Sequence, residues 1–104
     1  MKIENVKVEI YPGKILPEDW FVESKYVLRF INTTNGYDLD NEVGEIFPKL
    51  VRPLAVLGIY DMGNGMMECD DDSMMAEEIE KHLIDFGFQT EILDKWEEPE
   101  DEDI

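Results

Sequence analysis

Two side chains that often carry chemistry, a thiol and an imidazole, each occur once in the 104 residues, as Cys69 and His82. Around the cysteine runs Met67-Glu68-Cys69-Asp70-Asp71-Asp72-Ser73, a stretch dense in carboxylates. A nucleophilic cysteine needs its thiolate stabilised by nearby positive charge. Glu68, Asp70, Asp71 and Asp72 do the opposite and should oppose ionisation. His82 borders the apolar stripe of the helix expected there, which predicts a partly buried boundary histidine. Any Ser-His-Asp or Cys-His arrangement would depend on these same few residues, and no nucleophile elbow is present. The chain therefore reads as a non-enzyme.

The carboxylates could still act in other ways. An acid–base pair needs two carboxyl groups in opposed environments. Asp61, at the exit of an apolar run, is the best single candidate for partial burial, with bracing of the Met62-Gly63-Asn64-Gly65 turn as its structural alternative. Asp61, Glu68, Asp70 and Asp72 surround one loop, 61–72, and offer hard oxygen ligands of the kind that suit Ca²⁺ or Mg²⁺. The spacing does not match a calcium loop. Counted from Asp70, Met74, Met75 and Lys81 stand at the fifth, sixth and twelfth positions; counted from Asp38, Val43 stands where glycine is needed. Cysteine and histidine do not pair at zinc spacing. The lone Gly63-Asn64-Gly65 is a weak phosphate signal, with acids crowding the place a phosphate would take. No cofactor is expected.

Charge is the more informative feature. Nine Lys and Arg stand against 26 Asp and Glu, a net charge of −17. Residues 1–60 hold nine acids and seven bases, whereas residues 61–104 hold 17 acids and two bases. Such a field repels nucleic acid and anionic membranes and attracts basic proteins and cations. A single cysteine, with no apolar run near the length of a membrane span, leads us to expect a soluble cytoplasmic protein.

The elements that must position these residues follow from periodicity. Val6, Val8 and Ile10 alternate with Lys7, Glu9 and Tyr11, a half-buried strand closed by Pro12-Gly13, where a type II turn is expected. Leu16–Ser24 should hold a turn or two of helix, and Lys25–Asn32 a second strand ended by Asn35-Gly36. Val43, Ile46, Phe47, Leu50 and Val51 form a helical stripe that Pro48 should break near Phe47. The uninterrupted run Pro53–Tyr60 reads as a central strand. Met75, Ala76, Ile79, Leu83 and Phe86 mark a second helix, capped by Asp72 or Ser73 and ended by Gly87. Residues 88–93 follow as a last strand, parallel to 54–60.

The expected fold is thus a single small α+β domain over residues 1–96. It has a mixed sheet of about four strands, two main helices and a C-terminal strand-helix-strand crossover. Residues 97–104, with six acids in eight positions, are expected to be an acidic mobile tail. On the second helix Glu77, Glu78 and Asp85 face outward, with Met74 and Ile84 among them. Together with Asp70, Asp71, Asp72 and Trp96, they make the expected partner-binding set: a charged rim with small apolar anchors. The expected function is an acidic inhibitor or decoy, of immunity or nucleic-acid-mimic type, that masks a basic protein surface without binding nucleic acid itself. The alternatives are a small-ligand or divalent-metal domain using loop 61–72, and an accessory subunit of a larger complex.

Overall fold

The computed structural model describes residues 1–63 and 65–96. The acidic segment 97–104 lies outside the described residues. Besides four short 3-10 turns, the described residues form five strands and three α-helices: β1 (Val6–Pro12), β2 (Tyr26–Asn32), α1 (Val43–Ile46), α2 (Val51–Val56), β3 (Ile59–Gly63), β4 (Met66–Cys69), α3 (Ala76–Phe86) and β5 (Gln89–Ile92). The five strands form one mixed sheet in the order β3-β4-β2-β1-β5. β1–β2, β2–β4 and β3–β4 are antiparallel, and β1–β5 is parallel. The α+β class holds, with one strand more than expected.

Strand alternation divides the sheet into two unlike faces. Val6, Val8 and Ile10 of β1, Leu28 and Phe30 of β2, and Met67 and Cys69 of β4 lie in the principal core. There they meet Val43 of α1, Leu54 of α2 and Ala76, Ile79 and Leu83 of α3. Fully burying a side chain such as Leu83 contributes about 1.5–3 kcal/mol. The opposite face holds a smaller cluster of Tyr11, Leu16 and Val27, against which Ile15, Val22, Met66, Leu93 and Trp96 pack. Its cover is the β1–β2 connection and the chain just after β5.

The break in the first helical stripe falls where Pro48 demands it. α1 ends at Phe47, a tight turn over Pro48–Leu50 follows, and α2 begins at Val51. The run Pro53–Tyr60 is not the expected central strand. α2 carries it to Val56, with Pro53 tolerated in the first turn, and Gly58 at φ 81° reverses the chain into β3. β3 lies at the edge of the sheet, not at its centre.

The crossover is real but differs in its first strand. β4, hidden in the acidic stretch, leads into α3, and β5 returns beside β1 with two strands between them. Because β1 and β4 are each antiparallel to β2, β4 and β5 run the same way, and β3 runs opposite to β5. α3 ends at Gly87, which adopts φ 110° as expected of a C-terminal cap. Its start differs: Met75, not Asp72 or Ser73, is the cap residue, and its N–H donates to Glu78 Oε1 at 3.1 Å. The Pro12-Gly13 turn also differs. Gly13 opens a tight helical turn and lacks a positive φ; a Cβ there would lie 2.0 Å from the Ser24 carbonyl oxygen. Close backbone approach is what requires glycine at this position. Among the described residues, no helix is long and apolar enough to cross a membrane.

Candidate functional site

β4 and the turn after it deliver the acidic stretch to one end of the sheet. Register pairs Glu68 with Val27 and Tyr60, so its side chain lies on the face opposite the helices, where it accepts a hydrogen bond from Ser24 Oγ. Ser24 Oγ also lies 3.3 Å from Asp70 Oδ1. Asp71 Oδ1 accepts from the Ser73 N–H at 3.0 Å and from Ser73 Oγ at 2.7 Å, which holds its carboxyl below the usual range. Asp72 is exposed, and its carbonyl oxygen accepts from Lys25 Nζ at 3.1 Å. Asp70 is exposed and Asp71 half-buried, so the three form a ridge leading into α3.

On α3 the outward positions are Glu77, Glu78, Lys81, His82, Ile84 and Asp85, all exposed. Ile84 is 54% exposed and Met75, at the start of the helix, 49%. Met74 is not an outward anchor: it is half-buried and packs on the principal core. It precedes the first helical turn, so helical periodicity does not set its direction. Met75 takes the exposed place instead. His82 is likewise exposed, not partly buried, because α3 turns its buried stripe of Ala76, Ile79 and Leu83 away from it.

Trp96 belongs to a different surface. It sits on the opposite face of the sheet, edge-on to Tyr11 at 4.9 Å and to Trp20 at 5.1 Å between ring centroids, with the Arg29 guanidinium 5.5 Å from its ring. It closes that face and is not joined to the ridge. The candidate metal set is also dispersed. Asp61 is on the helix-bearing face, accepting from the Val43 N–H at 3.0 Å and the Gly44 N–H at 3.3 Å, whereas Glu68 is on the other. Asp61 thus caps α1. Among the described residues no three of His, Cys, Asp and Glu come together to hold a metal ion. Cys69 is fully buried, and burial followed by the charges of Asp71, Asp70 and Asp72 pushes its thiol up.

Periodicity also concealed an ionic ladder on the second face. Lys7 Nζ is 3.4 Å from Glu9 Oε2 and also pairs with Glu91. Arg29 NH1 is 3.7 Å from Glu9 Oε1, and Arg29 Nε is 2.8 Å from Asp38 Oδ1. Tyr11 OH donates to Glu9 Oε1 at 2.6 Å; burial first, then Glu9, pushes its phenol up to about 12. The signal was Arg29, the one charged residue in the apolar run of β2. Beside the ladder lie a cleft of about 340 Å³ lined by Glu9, Tyr11, Arg29, Leu93, Asp94 and Lys95 and, under the β1–β2 connection, a larger one of about 470 Å³. Lys14, Lys25, Glu23 and Ser24 line the larger cleft, with Pro12, Val22 and Tyr26 as its apolar wall. Comparison with protein-family models, curated proteins and solved structures finds no match for this chain.

Proposed function

We propose that the chain is a non-enzymatic acidic binding protein that masks a basic protein surface of the kind that binds or cleaves nucleic acid. The observation that carries this reading is the composition of one exposed ridge. Asp70, Asp71 and Asp72 lead into an outward face of α3 that carries Glu77, Glu78 and Asp85, with Lys81 as its cation and Met75 and Ile84 as apolar side chains each about half exposed. Rim charges of one sign steer a partner of the opposite sign and raise the association rate, and the apolar pair supplies a small packed contact. The net charge of −17 extends that steering beyond the ridge and works against nucleic acid or an anionic membrane as the direct partner. The burial of Cys69 and the exposure of His82 support the non-enzymatic part of the reading. A cytoplasmic setting is part of it too, supported by the single cysteine.

The test is capture from a lysate of the source organism at low salt, using wild type and D70N/D71N/D72N/E77Q/E78Q. Wild type should retain a basic protein that the neutralised variant loses. Equal retention by both would sink the reading. A small-ligand reading is favoured by one observation, the cleft of about 470 Å³ in which Lys14, Lys25 and the Glu23 carboxylate stand beside an apolar wall, a lining that suits a small zwitterion with an apolar body. This is a different place from loop 61–72.

A further inference from the structure

The β1–β2 connection contains the one non-glycine residue with a positive φ among the described residues, and it is a phenylalanine. Phe21 sits at φ 54° and ψ 43°, and its N–H donates to the Glu18 carbonyl to close the tight turn Glu18–Trp20. Glycine or asparagine fits that backbone, whereas a bulky side chain strains it. Burial does not offset the strain, because Phe21 is 83% exposed. Trp20 beside it is 40% exposed, and its ring is braced edge-on by Trp96, which rests in turn on Tyr11. A strained backbone that displays an aromatic ring to solvent, next to a second ring held rigid from behind, does little for the folded state. It is suited to contact with another molecule.

The charges around the pair state what that molecule carries. Glu18, Asp19 and Glu23 are exposed and flank Trp20 and Phe21 in sequence. Phe21 also walls a groove of about 210 Å³ with Leu16, Pro17, Glu18 and Val22, where Lys14 is the only cation. Aromatic faces framed by carboxylates suit a guanidinium, which stacks flat on a ring while its N–H fork pairs with a carboxylate; an ammonium does this less well. We propose that Trp20 and Phe21, framed by Glu18, Asp19 and Glu23, form an aromatic anchor that seats an arginine side chain of a basic protein partner. The proposal rests on the reading of the chain as a binder of basic surfaces. It adds a second contact on the sheet face that α3 does not cover.

The test titrates the full chain with an oligo-arginine peptide and an oligo-lysine peptide of equal length at low salt. Calorimetry gives affinities, and backbone amide shifts locate the contact. Wild type should prefer the arginine peptide by about fivefold, with shifts at residues 18–23. F21A and F21G should both lose that preference, and F21G should melt no lower than wild type, since glycine relieves the strain. K14A should strengthen the arginine complex. Unchanged affinity and preference in both Phe21 variants overturns the anchor, as do shifts confined to residues 70–85. In those two cases salt-sensitive binding would leave the acidic-ridge reading standing. Failure of wild type to bind either peptide at low salt overturns both.

Discussion

Asp61 stood out in the sequence as a carboxylate at the mouth of an apolar run, and its role is to receive the amide hydrogens of Val43 and Gly44. Glu42 at the cap position makes no side-chain cap bond, so among the described residues Asp61 is the side chain that caps the first turn of α1. We therefore expect D61A to lower stability by about 1 kcal/mol in denaturant unfolding, without changing any metal dependence. The Tyr11–Glu9 pair provides a second test at this scale. A phenol held near pH 12 in the folded chain, against about 10 when unfolded, favours the folded state while the phenol is protonated. That contribution is complete below pH 10 and is lost as pH rises from 10 to 12. Glu9→Gln should bring the Tyr11 titration downward, read by phenolate absorbance, and move the alkaline unfolding transition with it. Met74 and Met75 show the limit of reading single residues. Both looked apolar and helical, but Glu78 fixes the start of α3 at Met75, which puts Met74 in the core and Met75 in solvent.

At the scale of elements, legibility followed the strength of the local constraint. The alternation of Val6, Val8 and Ile10, the break at Pro48 and the stop at Gly87 each follow from a steric or periodic rule that neighbours do not override. The run Pro53–Tyr60 has no polar face, so its period cannot separate helix from strand, and the structure divides it between α2 and β3. β4 was missed because its four residues, Met66–Cys69, alternate within a stretch whose acids draw attention to capping. Its omission left the crossover with the wrong first strand. Gly13 shows how such a small domain fastens its second face. Its N–H donates to the Lys25 carbonyl at 2.8 Å, and the Ser24 carbonyl occupies the space of a Cβ. G13A must push backbone against backbone where no side chain can yield. We expect it to cost more than 2 kcal/mol, roughly the scale of a core truncation, and to expose Trp20 and Trp96, seen as a red shift in tryptophan emission.

The whole molecule is an acidic body with its chemistry distributed over two faces. The helix-bearing side presents α3, the Asp70–Asp72 ridge sits at the end of the sheet where Ser24 and Lys25 contact it, and the other side presents the ionic ladder, Trp96 and the β1–β2 connection. Composition made the charge and its C-terminal bias legible at once. The two-faced arrangement was not, because it depends on strand order and on which segments fold back over the sheet. Trp96, which in the sequence stands just before the acid run and could anchor a partner or close the edge of the domain, packs on Tyr11 and Trp20 and so closes the second face. The most direct test of the proposed function is the salt dependence of affinity for a basic protein captured from the source lysate, measured for wild type and for D70N/D71N/D72N/E77Q/E78Q. Wild-type affinity should fall steeply as salt rises, and the variant should bind weakly with a much flatter slope. Wild type and variant binding with the same affinity and the same slope would contradict it.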